Sequence, residues 1–436
     1  MTGWAISWGR LFVRNHILLF GLLFALSLAF FSPVRDNTFW HPVDYAFIDQ
    51  AIDIEQSWRQ IFVSNPPQPF QPLVKFVFFL EFSLFGLIAS KYYLFNILVH
   101  SINAFLVFFL VLTLLRDRRI ATLSAVLFAC AVGNYGKAVM VASGISDLLI
   151  TMLTLLTLLF YFKNELEKGG RLTSIWFFSA LVFFVLSLLT KLTSFSILGC
   201  MLAFHVFFRA ETKKPILNKT ILTVAVVAVL ALAAKQVFLQ DIGAREDMLT
   251  NVPRIIRNFA SYLVRMVFPI HTSALVSDSG AVVRAIYKFA TQIRLITFLC
   301  IVSYSVFGFL FGNRTIRFFI TWTYVTLTPF CFFEFPTDWL NIRHLYLVSV
   351  GFVMILASGT VLASRLLYQR AWRRFLPYTL PLLFVFLSQF ILFRLDKNYE
   401  RLAKTPTIHQ LHENVIQRYY DTRSGSAGGT GQGQVK

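Results

Sequence analysis

The chain has 436 residues, of which 57% are apolar and only 14% charged, with 49 phenylalanines. A soluble fold of this length cannot cover so much apolar surface with so few charges. Repeated apolar runs of about 16 to 22 residues between short basic clusters define an all-α polytopic membrane protein. The net charge of +19 is scattered in knots between those runs, which excludes a basic domain of the kind that binds nucleic acid and instead sets topology on a lipid membrane.

In chain order, the sequence predicts spans near 16–32, 94–115, 120–135, 141–162, 172–190 and 193–208. Five more follow near 220–236, 291–311, 318–333, 345–364 and 376–393. The first run is long enough to span and shows no small-residue cleavage site, so it reads as a retained helix. Arg10 and Arg14 place the N-terminus inside. Alternation puts the knots RDRR (116–119), KNELEKGGR (163–171), RAETKKPILNK (209–219), NRTIR (313–317) and RLLYQRAWRR (365–374) on the same side. That gives eleven spans in a membrane domain covering 1–394. Residues 71–89 are apolar enough for a twelfth, but Lys75 and Glu81 interrupt them and every later knot would change sides. They are expected to lie on the outer face, after a shorter amphipathic stretch around 46–62, within a first outer loop spanning 33–93. Cys130, Cys200, Cys300 and Cys331 sit in apolar runs without a CxxC pair, which supports neither a disulfide framework nor a zinc site.

A second outer loop, 237–290, carries an amphipathic helix over 253–268. Arg254, Arg257 and Arg265 fall within an arc of about 80° opposite Ile255, Ile256, Phe259, Leu263 and Val267. Two readings stay open: a lipid anchor in the interface plane, or arginines that gather the phosphate of a lipid substrate. From Arg394 the chain changes character. Residues 395–423 read as a polar, outward-exposed helical tail and 424–436 as disordered by composition. His409 and His412 lack a third ligand partner in the pattern, so no metal site is expected there.

Polar residues near apolar runs need a reason, because an Asp at a helix centre costs about 2.5–3.5 kcal/mol on insertion scales. Asp147 lies two turns into the fourth span. Lys137 precedes it, Lys191 separates two runs, and Arg343 and His344 open the tenth. Alternation places all of them toward the outer face, with Asp44 and Asp49 of the first loop, so that one outward pocket is expected. The plainer alternative is that the cations snorkel to headgroups and Asp147 makes a structural ion pair.

The order of motifs is similar to that of GT-C polyprenyl-phosphate-dependent membrane glycosyltransferases, closest to the O-mannosyltransferase-like branch that often carries tetratricopeptide repeats. HPVDYAFIDQAID (41–53) stands at the acidic first-loop motif. QPLVKFVFFLEFSLFGLIASKYYLFNILVHSINAFLVFFLV (71–111), AVMVASGISDLLIT (138–151), LSLLTKLTSF (186–195), RIIRNFASYLVRMVFPIHTSALVSD (254–278) and IRHLYLVSVGF (342–352) follow in the family's order. The resemblance covers about 15–365. It implies a GT-C-like bundle with interfacial helices in the first loop, and a sugar moved from a polyprenyl-phosphate carrier to an acceptor hydroxyl on the periplasmic or lumenal face. The reaction would be inverting, with Asp44 as base. Arg343, Lys191, His344 and Lys137 would bind the donor phosphate, and Asp49, Asp147 and Tyr135 would line the acceptor pocket. The acceptor is a glycan, lipid or protein; a divalent metal stays open.

Departures from the family pattern are specific. GNYG (133–136) replaces the family's HP.H, Val43–Asp44 replaces adjacent acids, and Leu192 and Ile342 stand where acids are expected; tetratricopeptide repeats are missing. They motivate a second reading, an inactive GT-C-like scaffold for a membrane-protein partner. A third is a lipid-linked-sugar transporter or flippase, which predicts midplane charges and an internal repeat that the sequence does not display. The compact loops suggest a bacterial inner membrane, with the endoplasmic reticulum as the alternative.

Overall fold

The computed structural model describes residues 2–63, 70–130, 137–209, 218–239, 251–267, 289–332, 342–367 and 373–428. Among them every regular element is helical. In chain order these are α1 (Thr2–Phe30), α2 (Pro42–Gln56), α3 (Pro72–Phe85), α4 (Ala89–Leu115), α5 (Arg118–Cys130) and the single turn α6 (Lys137–Met140). Then come α7 (Ile145–Glu167), α8 (Ile175–Leu188), α9 (Ser196–Phe204), α10 (Lys219–Leu239) and α11 (Val252–Val267). The last five are α12 (Ala290–Phe311), α13 (Arg314–Cys331), α14 (Leu345–Leu366), α15 (Thr379–Ala403) and α16 (Pro406–Gly428). Each of the eleven expected spans falls on one of these helices. Four apolar stretches, Ala89–Leu115, Ala142–Glu167, Thr291–Phe311 and Leu345–Leu366, are long and apolar enough to cross a membrane, and the others are shorter.

Local sequence explains where several helices begin. Pro42 opens α2 while the His41 ring accepts the Val43 amide at 3.3 Å, satisfying a donor that the first turn leaves orphaned. Ser174 caps α8 and Asn313 caps α13 in the same manner. The RDRR knot turns sharply because Arg116 adopts φ 53 and Asp117 then accepts the amides of Arg119 and Ile120.

Within the bundle α7 is central: 83% of its apolar window is buried, against none for α12, which turns its apolar face outward. Polar side chains of α4 fix α7 and α14 beside it. Asn96 donates to the Val141 carbonyl at 2.8 Å, Asn103 to that of Leu148 at 3.0 Å, and the His100 ring pairs with the Tyr346 hydroxyl at 2.7 Å. In an apolar surrounding such bonds fix register, since the alternative is an unsatisfied buried dipole.

Two charged layers mark the two ends of α7. At one end, Asp147 meets Lys191 and Arg343. At the other, Glu165 holds Arg209 at 2.7 Å, with Asn218 and Thr220 on its second oxygen. Eighteen residues separate the two acids, about 27 Å at 1.5 Å per residue, close to the roughly 30 Å of a bilayer's hydrocarbon. Glu165 thereby joins the knots 163–171 and 209–219, and Asp117 joins RDRR to Arg365. Knots expected on one side do meet.

The segment 71–89 forms α3, whose 14 residues extend about 21 Å. It is too short to cross, and it packs on α2 with Lys75 donating to the Val63 carbonyl at 2.6 Å. The helix expected over 253–268 is α11, but its arginines do not all face headgroups. Arg254 is buried and Arg257 exposed, while Asn258 donates to the Cys331 carbonyl at 3.0 Å. Tyr262, Leu263 and Met266 pack on α13 and α14. The helix is rolled so that its polar border seals against protein and Ile256 stays exposed.

The tail also departs from expectation. α15 runs unbroken past 394 to Ala403, and α16 extends to Gly428, into the stretch read as disordered; 429–436 lie outside the described residues. The tail is not simply outward-exposed. Asp396 and Tyr399 of α15 and Ile408 and Val415 of α16 are buried: Asp396 and Tyr399 meet Asn37 and Trp40 of the first loop, and α16 packs on α2.

Candidate functional site

Asp44 sits in the first turn of α2 and is fully buried. Its Oδ1 accepts the Ser143 amide at 2.8 Å, which ties the first loop to the start of α7. Its Oδ2 has no hydrogen-bond partner among the described residues. Burial pushes the carboxyl up to about 6; hydrogen bonds from Ser143 and the charge of Arg343 offset part of that.

Gly144 follows Ser143 and permits the close turn: a Cβ there would meet the Ala138 carbonyl oxygen at 2.0 Å. That contact packs α6 against the entrance to α7 and sets Lys137 beside both acids. Burial, reinforced by Arg343, drives the Lys137 ammonium down to about 7, while Asp44 and Asp147 act the other way. The same ammonium lies 5.9 Å from the centre of the Trp40 ring. Burial and the charges of Lys137 and Arg343 push His41 down to about 2, so its ring is neutral and caps α2.

In the first turn of α7, Asp147 holds two cations at once. Lys191 donates to its Oδ1, and Arg343 Nε lies 3.4 Å from Oδ2. His344 stacks on Phe330 with ring centres 4.6 Å apart; burial chiefly, and the neighbouring cations, hold it well below its ordinary range. The set Asp44, Lys137, Asp147, Lys191 and Arg343 therefore contains three cations and two acids, all largely withdrawn from solvent. Such a cluster suits an incoming anion, whose charge would complete the balance.

The structure thus brings together Asp44, Lys137, Asp147, Lys191, Arg343 and His344. It places Asp49 elsewhere, half-exposed and 3.1 Å from Arg418 of α16. Tyr135 and the GNYG stretch lie outside the described residues. Of α11, Tyr262 is the buried residue that lies within reach of the cluster's charges: burial raises its hydroxyl's pKa, and Arg343 and Asp147 act on it in opposite directions. Sequence reading missed Ser143, His41, Trp40 and Tyr262. Ser143 belonged to the quoted SGISD motif and His41 to HPVD, so their positions were visible though their bonds were not. Among the described residues no three His, Cys, Asp or Glu side chains gather into a ligand set, and Asp147 is engaged by Lys191 and Arg343.

No protein-family model matches the chain, and no curated protein matches it in sequence. Among solved structures, the archaeal oligosaccharyltransferase AglB from Archaeoglobus fulgidus, in complex with an inhibitory peptide and a dolichol-phosphate, superposes with a TM-score of 0.50 at 12% identity. The match covers 88% of this chain and 56% of AglB, so the chain spans little more than half of that protein's length. ArnT from Cupriavidus metallidurans in the apo state matches with a TM-score of 0.45 at 14% identity, over 96% of this chain and 76% of that one. What is shared is the fold, an all-α GT-C-like membrane bundle.

Proposed function

We propose that the chain is a membrane glycosyltransferase that moves a sugar from a polyprenyl-phosphate carrier to an acceptor hydroxyl. The observation that supports this best is the convergence of a raised-pKa carboxylate with three cations on one membrane face of a GT-C fold. AglB was solved with a dolichol-phosphate, and the motif order favours the O-mannosyltransferase-like branch.

In this reading Asp44 takes the proton of the acceptor hydroxyl through its unbonded Oδ2. The freed oxygen attacks the anomeric carbon as the bond to the phosphate oxygen breaks on the opposite face, giving inversion. Lys137, Lys191 and Arg343 receive the charge that develops on the leaving phosphate. Asp147 is a positioning residue: it orients Lys191 and Arg343 and touches no reacting atom. His344 stays neutral and serves as a hydrogen-bonding group near that phosphate. Because Asp44 is closed off, the acceptor reaches it only when the first loop or the tail above it shifts.

The test compares wild type with Asp44→Asn in liposomes, using radiolabelled polyprenyl-phosphate sugars and cell-envelope extract as acceptor. Release of label by wild type, lost in Asp44→Asn while donor binding persists, supports the assignment. Equal release by both removes Asp44 from the mechanism. The second reading, an inactive scaffold, is favoured by the full burial of Asp44 and the GNYG replacement; it predicts donor binding without release.

A further inference from the structure

The segments 71–111, 138–151 and 342–352 meet through buried polar side chains beside the charged cluster. We infer that Asn103, Tyr346 and His100 form one directed hydrogen-bond chain that sets Arg343 against Asp147. His100 and Tyr346 are then positioning residues for the cation that receives the ligand; that ligand, a lipid phosphate, is taken from the transferase reading, on which the assignment rests.

The helix starts are in register. Asn96 of α4 donates to the Val141 carbonyl, just before α7, and Asn103 to the Leu148 carbonyl; both pairs stand 45 residues apart in sequence. The start of α7 therefore runs parallel to α4. Asn96, His100 and Asn103 lie at i, i+4 and i+7, on one face of α4. From that face His100 Nδ1 meets the Tyr346 hydroxyl at 2.7 Å, and Asn103 Nδ2 reaches the same hydroxyl at 3.2 Å. Tyr346 stands one turn beyond Arg343, and Leu148 follows Asp147. Both members of the ion pair, Arg343 Nε and Asp147 Oδ2 at 3.4 Å, are thus anchored within one turn to the same Asn103 amide.

The bonds also have a direction. Leu148 and Ala129 offer carbonyl oxygens, which only accept. Asn103 therefore turns its NH2 group to Leu148 and to the Tyr346 oxygen. His100 Nε2, 3.2 Å from the Ala129 oxygen, carries the ring N–H. The ring is fully buried beside Phe31 and Phe128, where an unpaired charge is costly, and a neutral imidazole has one N–H. Nδ1 is bare and accepts the Tyr346 proton. Every link points one way, from Asn103 through Tyr346 and His100 to α5, and such bonds strengthen one another in series. Without the hydroxyl, the first turn of α14 is released and Arg343 turns with it.

The experiment reads binding of geranylgeranyl phosphate, a short polyprenyl phosphate, by calorimetry on full-length protein in detergent. Wild type is expected to bind. Tyr346→Phe and Arg343→Ala should each weaken binding by about tenfold. The double variant should bind no more weakly than Arg343→Ala alone, because Tyr346 acts through Arg343. Additive losses, or unchanged binding by Tyr346→Phe, overturn the positioning role. Should Tyr346→Phe fail to fold, two variants of His100 carry the test. Asn places an acceptor near Nδ1, whereas Gln places a donor near Nε2. His100→Asn should bind as wild type and His100→Gln about tenfold more weakly. The reverse order, or equal losses, reduces His100 to a packing tie and overturns the inference. Additive losses in a protein that still releases sugar from a donor sink the chain alone. Coupled losses in one that releases none uphold the chain and sink the transferase reading. Wild type that binds no probe removes the phosphate site on which both rest.

Discussion

Asp44 carries two predictions because its titration has opposite consequences for stability and for activity. With a folded pKa near 6 and an ordinary value of 3.8, the native protein holds this proton more tightly than the unfolded chain. The stabilisation is complete below about 3.8 and is lost as pH rises through about 6, a difference of about 3 kcal/mol. Asp44→Asn keeps an acceptor for the Ser143 amide and removes the buried charge. It should melt higher than wild type at pH 8 and equally at pH 4, while losing sugar transfer. A lower melting point at pH 8 would show that the ionised carboxylate stabilises the fold.

The proposed mechanism requires Asp44 ionised and Lys137 charged, and these lie near 6 and 7. The pH profile of kcat/KM for the free enzyme should therefore be a narrow bell, falling on the acid side near 6 and on the alkaline side near 7. Lys137→Arg should move the alkaline limb upward, since a guanidinium stays charged. Asp147 is a different case. Asp147→Ala leaves Lys191 and Arg343 buried together without their acid, at a cost of about 3–5 kcal/mol. Thermal unfolding in detergent checks this, and a melting point near that of wild type would show that the cations turn to solvent.

At the scale of elements, α7 does the most to organise the molecule, since it carries a charge layer near each end and most of its length is buried. Its entrance depends on Gly144. The Cβ of Gly144→Ala would strike a backbone oxygen at 2.0 Å, which no side-chain rotation relieves. That variant should fold poorly or lose the Asp44–Ser143 bond, read as lower yield and melting point. Gly359→Ala, with open space around it, is the matched control and should behave as wild type.

Elements were the most legible part of the sequence. Apolar run length predicted a helix at each run, four of them long and apolar enough to cross a membrane, because hydrophobic thickness and backbone hydrogen bonding in lipid act on each segment alone. The convergence of Lys137, Asp147, Lys191 and Arg343 was readable only as a shared membrane side, since azimuth around a bundle is set by packing. Packing also decided what patterning had wrong. α11 has a clear polar arc, yet Arg254 is buried, because Asn258 and Tyr262 dock on α13 and α14 and roll the helix with them. The tail was read as exposed because its apolar residues are few. A few buried residues are still enough when the surface beneath supplies partners.

Across the whole molecule, the tail holds the first loop with both charge and rings. Arg418 bridges Asp49 and Asp53, Arg423 reaches Glu55, Phe82 meets Tyr419, and Trp40 meets Tyr399. The ion pairs are partly exposed and worth about 0.2–1 kcal/mol each. Arg418→Glu replaces attraction by repulsion at two carboxylates. It should raise hydrogen exchange in α2 and leave that of α7 unchanged. Unaltered exchange in α2 would assign the grip to the aromatic contacts.

Arg418 and Asp49 stand 369 residues apart in the chain. During synthesis the first loop emerges long before the helix that covers it. Until those later residues are made, α2 waits on the membrane surface with Trp40 and Asp44 uncovered. Assembly of this site is thus timed by the ribosome: the early half is built first, and the later half closes it afterwards.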